Sequence, residues 1–136
     1  MKKFWLLIVV VFTFVGCDLH DDYIDYHLEL LPVESADLPM EFKRDSIYEL
    51  PFHYIRPSTC HVFEGFYYQR NSNTRTIAIQ TSVLERNDCT TPIANPVEAI
   101  LKFKPTTEDS YIFKMWKGED DNGEDVFEEV EIPVVP

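Results

Sequence analysis

The chain has 136 residues, with 24 acidic against 12 basic side chains and a net charge of −12. That length fits one domain, and that charge repels phosphate backbones and so excludes nucleic acid as a partner. Apolar residues make up 45% of the chain, enough to build a core.

The N-terminus reads as a processing segment. Met1-Lys2-Lys3 is a basic head, and Phe4 to Val15 is apolar except for Thr13. As a helix that apolar run would span roughly 18 Å, well short of a hydrocarbon core of about 30 Å. Basic head, short apolar run and small residue predict a secretory signal peptide over residues 1–16, in preference to a buried helix or strand. The run ends in Phe14-Val15-Gly16-Cys17, which resembles the lipobox of bacterial lipoproteins, where a small residue precedes an invariant cysteine. Phe14 stands where that family usually has Leu; bulky alternatives occur in the bacteria that include Bacteroides and Flavobacterium. The resemblance implies that the Cys17 thiol is alkylated with diacylglycerol, that signal peptidase II cuts between Gly16 and Cys17, and that the new amine is acylated. The rival is ordinary cleavage that leaves Cys17 as a free thiol or a disulfide partner. Each buried methylene contributes about 0.8 kcal/mol, so two or three chains on one cysteine hold a protein to a membrane. The expected location is the cell envelope, anchored by lipid to the outer membrane. Loss of Lys2 and Lys3 moves the net charge from −12 to −14.

Residues 17–26 read as an acidic tether, with Asp18, Asp21, Asp22 and Asp25 keeping it extended. "CDLHDD" is also similar to the acidic cluster that follows the cysteine in surface lipoproteins of the Bacteroides group. A solvated linker explains it equally well.

From residue 27 onward the periodicity is two. "HLELLPV", "SIYELPFHYI", "HVFEGFYYQR", "TRTIAIQTSVL", "VEAILKF", "SYIFKMWK" and "DVFEEVEIPV" follow in order, and nine prolines fall mainly between them. No stretch carries a sustained helical stripe. About seven short strands with regular turn signals predict an all-β, antiparallel sandwich over residues 27–136. Pro51 argues for an edge strand or a bulge.

With Cys17 assigned to lipid, Cys60 and Cys89 remain. In an oxidising compartment such a pair defaults to a disulfide. The pair would latch the base of the hairpin formed by residues 61–70 and 75–84. Asp109-Ser110-Tyr111, a turn ending in a tyrosine that opens a late strand, resembles the tyrosine corner of immunoglobulin-like sandwiches. Phe113 occupies the position where those domains often carry the second core cysteine.

Candidate sites are few. Tyr67, Tyr68 and Trp116 are the best candidates for an exposed aromatic patch that stacks on sugar or anchors a protein, against the alternative that they fill the core. Asn122-Gly123 predicts a type I′ hairpin turn. Read instead as a calcium loop, "GEDDNGEDVFEE" lacks an oxygen ligand at Gly118, which leaves weak calcium binding by Asp120, Asp121, Glu124 and Asp125 as the alternative. His20, His27, His53 and His61 show no metal-ligand spacing, so neither metal nor cofactor is expected. Asp45-Ser46-Ile47 matches the short motif O-glycosylated at Ser46 in exported proteins of the same bacteria. Nucleophile elbows and phosphate loops are absent from the sequence, so no enzyme is expected. The expectation is a non-catalytic binding or accessory module for a protein or glycan partner. The alternatives are a structural component of an envelope complex and, remotely, a small hydrolase.

Overall fold

The computed structural model describes residues 23–136. The segment expected to be a signal peptide, Cys17, His20 and the first acids of the expected tether lie outside the described residues. Tyr26 already belongs to a strand, and Asp25 O accepts a hydrogen bond from Glu85 N at 2.8 Å, so the end of the 17–26 segment joins the fold.

Among the described residues, nine strands form two sheets. They are β1 (Tyr26–Leu31), β2 (Ser35–Ala36), β3 (Phe42–Lys43), β4 (Tyr48–Tyr54), β5 (His61–Asn71), β6 (Thr74–Leu84), β7 (Val97–Phe103), β8 (Ser110–Glu119) and β9 (Asp125–Val135). The smaller sheet is antiparallel, in the order β2-β4-β7. The larger has six strands, β1-β6-β8-β9-β3, with β5 also pairing β6.

The large sheet is mixed, which corrects the expectation of an antiparallel sandwich. β3 runs parallel to β9, and β6 parallel to β8. The cause of the second pairing is the connection. After β6 the chain crosses to the small sheet as β7 before it returns as β8, and such a crossover delivers a strand in the same direction. β6 therefore shares one side between two partners. β1 pairs its residues 79–84, and β8 pairs its residues 74–77. Where β1 meets the end of β8, Val33 N donates to Trp116 O at 2.9 Å. The chain then turns into the small sheet, and Glu34 N donates to His53 O at 2.8 Å. Gly118 has φ +101, and a Cβ there would sit 3.4 Å from the Pro32 ring, so glycine suits this close crossing.

Alternation decides which side chains are buried. On β4, Leu50, Phe52 and Tyr54 point inward; on β8, Tyr111, Phe113 and Met115 do so. Phe42, from a strand of only two residues, packs against the rings of Tyr48, Phe103, Tyr111 and Phe113 at centroid distances of 4.8 to 6.5 Å. Pro51 lies on β4, the middle strand of the small sheet, rather than on an edge. Its carbonyl accepts Asp37 N on the β2 side. Proline has no N–H with which to return that bond, and the β2–β4 register ends at Ala36 and Phe52.

Tyr111 forms the corner anticipated from sequence. Its hydroxyl accepts the Thr106 amide at 2.9 Å, five residues upstream. Burial alone would raise the pKa of this phenol, but the hydrogen bonds from Thr106 and the nearby Arg75 charge lower it on balance.

Candidate functional site

The concave surface of most interest lies on the outer face of the large sheet. The registers place four residues in one row across it. Tyr67 on β5 pairs with Ala78 on β6, Ile77 and Met115 pair next to Ala78 and Trp116, and Trp116 on β8 pairs with Phe127 on β9. All four side chains point outward by alternation. Strands are spaced about 4.8 Å apart, so Tyr67 and Trp116 stand about 10 Å apart at the backbone with the small Ala78 between them. The result is a trough of about 670 Å³, floored by Ala78 and flanked by Tyr67, Trp116, Phe127, Leu28 and Leu30. Leu28 is 62% exposed and Tyr67 40%.

The walls are held in place. Trp116 Nε1 donates to Asp125 Oδ1 at 2.9 Å, which fixes the indole plane. Lys114 Nζ lies 4.4 Å from the Phe127 centroid and covers one face of that ring. The register shift between Trp116 and Gly118 leaves Lys117 unpaired in the ladder, and its ammonium reaches Glu34 O at 2.8 Å. Such a bulge twists the strand end on which the indole sits. Glu119 and Asp125 line one end of the trough, and Gln69 and Thr76 supply neutral polar groups along it.

The structure brings Tyr67 and Trp116 together and separates Tyr68 from them. Tyr68 is the next residue along β5, so it points to the opposite face and packs on the core. Sequence reasoning missed Phe127, Leu28 and Leu30. Their signal was present in the outward positions of alternating strands, but it becomes a site only when β1 and β9 are placed beside β6 and β8.

The remaining candidates fall elsewhere. Cys60 and Cys89 form a disulfide with Cα atoms 5.4 Å apart. Ser46 lies in the turn after Asp45, whose φ is +62, and its amide donates to Lys43 O at 3.2 Å. The β8–β9 hairpin closes through Asp120, where Asp120 N donates to Glu124 O and Gly123 N to Asp120 O. Only Gly123 in this turn takes positive φ, so Asn122-Gly123 is not the two-residue type I′ turn expected. Asp120 Oδ1 accepts the amides of Asn122 and Glu124, and that carboxylate closes the longer turn. Among the described residues, no group of three or more His, Cys, Asp and Glu side chains is placed to hold a metal ion. Each described histidine faces a glutamate, in the pairs His27–Glu85, His53–Glu98 and His61–Glu29.

His61 adds an arrangement that sequence reasoning did not find. Its Nε2 meets Glu29 Oε2 at 3.0 Å, and its Nδ1 meets Ser58 Oγ at 2.8 Å. The order of groups is that of a hydrolytic triad. Ser58 Oγ, however, also accepts the Cys60 amide at 3.2 Å, and it does not line the trough. The chain of bonds ties β1 to the start of β5 across β6.

No family model, no curated protein and no solved structure matches this chain.

Proposed function

We propose that this is a lipid-anchored protein of the cell envelope whose immunoglobulin-like domain is a non-catalytic binding module, with the trough on the large sheet as its binding surface. The observation that carries the reading is the Tyr67–Ala78–Trp116–Phe127 row. Two aromatic walls flank a small floor, with polar groups along the trough and at one end. Rings held rigidly by neighbours lose little entropy when a ligand stacks on them. A neutral glycan suits this surface better than an acidic one, because Glu119 and Asp125 line its end and the chain is strongly acidic. The Tyr111 corner, the β2 pairing with β4 and the parallel β3–β9 pairing support the immunoglobulin-like assignment, from which the parallel β6–β8 pairing departs. The anchor rests on the lipobox-like Phe14-Val15-Gly16-Cys17.

Affinity electrophoresis of the purified chain through gels containing neutral polysaccharides tests the reading. Migration should be retarded by at least one polysaccharide and restored by Trp116→Ala and by Tyr67→Ala. Retardation that survives both substitutions would remove the trough from the account.

A second reading, an assembly component of an envelope complex, draws on one observation. Among the described residues β5 pairs only β6, which leaves one side of this eleven-residue strand without a strand partner there and suited to strand addition. Light scattering that finds only monomers at high concentration, with no crosslinked envelope partner in cells, would eliminate it.

A further inference from the structure

A second concavity, of about 440 Å³, opens between the β5–β6 hairpin and the end of β7. Its chemistry is the reverse of the trough's. Four of the twelve basic residues in this acidic chain line it, namely Arg70, Arg75, Lys102 and Lys104, and no carboxylate does.

Arg75 is only 8% exposed. Its Nη1 donates to the carbonyls of Ser72 and Thr74 at 2.8 and 3.0 Å, and its guanidinium lies 4.9 Å from the Tyr111 centroid. Its Nε is buried without a hydrogen-bond partner among the described residues. Among the described residues, Arg70, Arg75 and Lys102 form no ion pair. Glu49 is the cross-strand partner of Lys102, yet it makes no ion pair with it. Lys104 meets Asp45 at 3.9 Å, with both side chains largely in solvent. Four cations thus have one distant acid between them.

A buried guanidinium without a counter-charge is costly to keep. A recess that gathers like charges between apolar walls also focuses the field at its mouth. With twice as many acids as bases in the chain, the lack of carboxylates at this place is what an anion site requires. We propose that the recess binds a small oxyanion, a carboxylate, sulfate or phosphate group. The exposed Arg70 and Lys102 clamp it, and Arg75 supplies the fixed positive charge behind them. Arginine suits this role because its planar fork matches two oxygens of such a group. The site is independent of the trough, so either can fail alone.

The test is a titration of the full-length chain, purified in a nonionic detergent, with sodium sulfate, sodium phosphate or sodium galacturonate. Ionic strength is held constant with chloride, and binding is followed by NMR at the Arg75 Nε–H and the amides of residues 101–104. At least one anion should give saturable shifts that chloride does not. Arg70→Gln combined with Lys102→Gln should weaken that binding about tenfold or more, as loss of two charge-assisted contacts would. Both side chains are exposed, so the melting temperature should hold. Trp116→Ala should leave the anion titration unchanged. A response to galacturonate alone assigns an acidic sugar, and a response to sulfate or phosphate alone assigns the corresponding ester or free ion. Shifts no larger than those with chloride, or equal affinity in the double variant, would overturn the proposal.

Discussion

Replacing both Cys60 and Cys89 with alanine should cost about 3–4 kcal/mol of stability. The two residues are 29 apart in sequence. Closing a loop of that length removes unfolded-chain entropy equivalent to about 3.6 kcal/mol at room temperature. The hydrogen bonds that join the two segments beside the bridge, Thr59 N to Thr90 O at 2.8 Å and Thr90 N to Thr59 Oγ1 at 3.0 Å, persist in the folded variant. They leave the unfolded ensemble as it is and so do not offset the entropic loss. Cys60 is buried, so trimming its sulfur adds a small cavity cost. Urea unfolding of the chain from residue 17 onward, carrying Cys17→Ser, measures the difference. Trp116 is the sole tryptophan once Trp5 is removed, so its emission reports the transition. The variant's m-value should rise, because its unfolded chain is less constrained. Reduction of the unsubstituted disulfide should reproduce the loss. A cost below about 1 kcal/mol would refute the latch and show that the β5–β6 hairpin holds its base without the bridge.

Tyr111→Phe should cost about 0.5–1.5 kcal/mol, because the part-buried hydrogen bond from the Thr106 amide is lost; denaturant midpoints check this. Phe42→Ala should cost about 3–5 kcal/mol despite the shortness of β3, since four rings close on Phe42. Burial raises the Tyr54 pKa, with Arg56 opposing it. In the folded state this phenol keeps its proton above the ordinary value near 10. Its contribution to stability is therefore present below that value and lost as pH rises through the folded pKa. Tyr54→Phe should flatten the alkaline fall in unfolding free energy, and an unchanged slope would remove Tyr54 as its source.

The seven longer strands were legible as apolar, β-branched and aromatic runs bounded by turn signals; alternation marks β4 and β6 clearly, whereas β5 carries rings on both faces. β2 and β3 were not, since two residues carry no period. The mixed character of the large sheet was equally hidden. Parallel pairing of residues 74–77 with residues 112–115 depends on where β7 crosses, and no local pattern records it. Tyr111 could be read because a corner is local, with donor and acceptor five residues apart. The trough was half legible. Tyr67 and Trp116 stood out as aromatic residues on strands, but grouping Tyr68 with them ignored the strand's own alternation, which sends neighbours to opposite faces. The basic recess left no signature, because Arg70, Arg75, Lys102 and Lys104 come from three strands and the segment after β7.

The trough is tested most directly by its own indole. In the chain from residue 17, Trp116 emission can be followed against a panel of neutral plant, fungal and mucin-type glycans. A saturable change with at least one glycan, lost in Tyr67→Ala while the melting temperature holds, is the predicted result. Emission that stays constant across the panel, or a response that Tyr67→Ala leaves intact, would contradict a glycan-binding trough on this sheet.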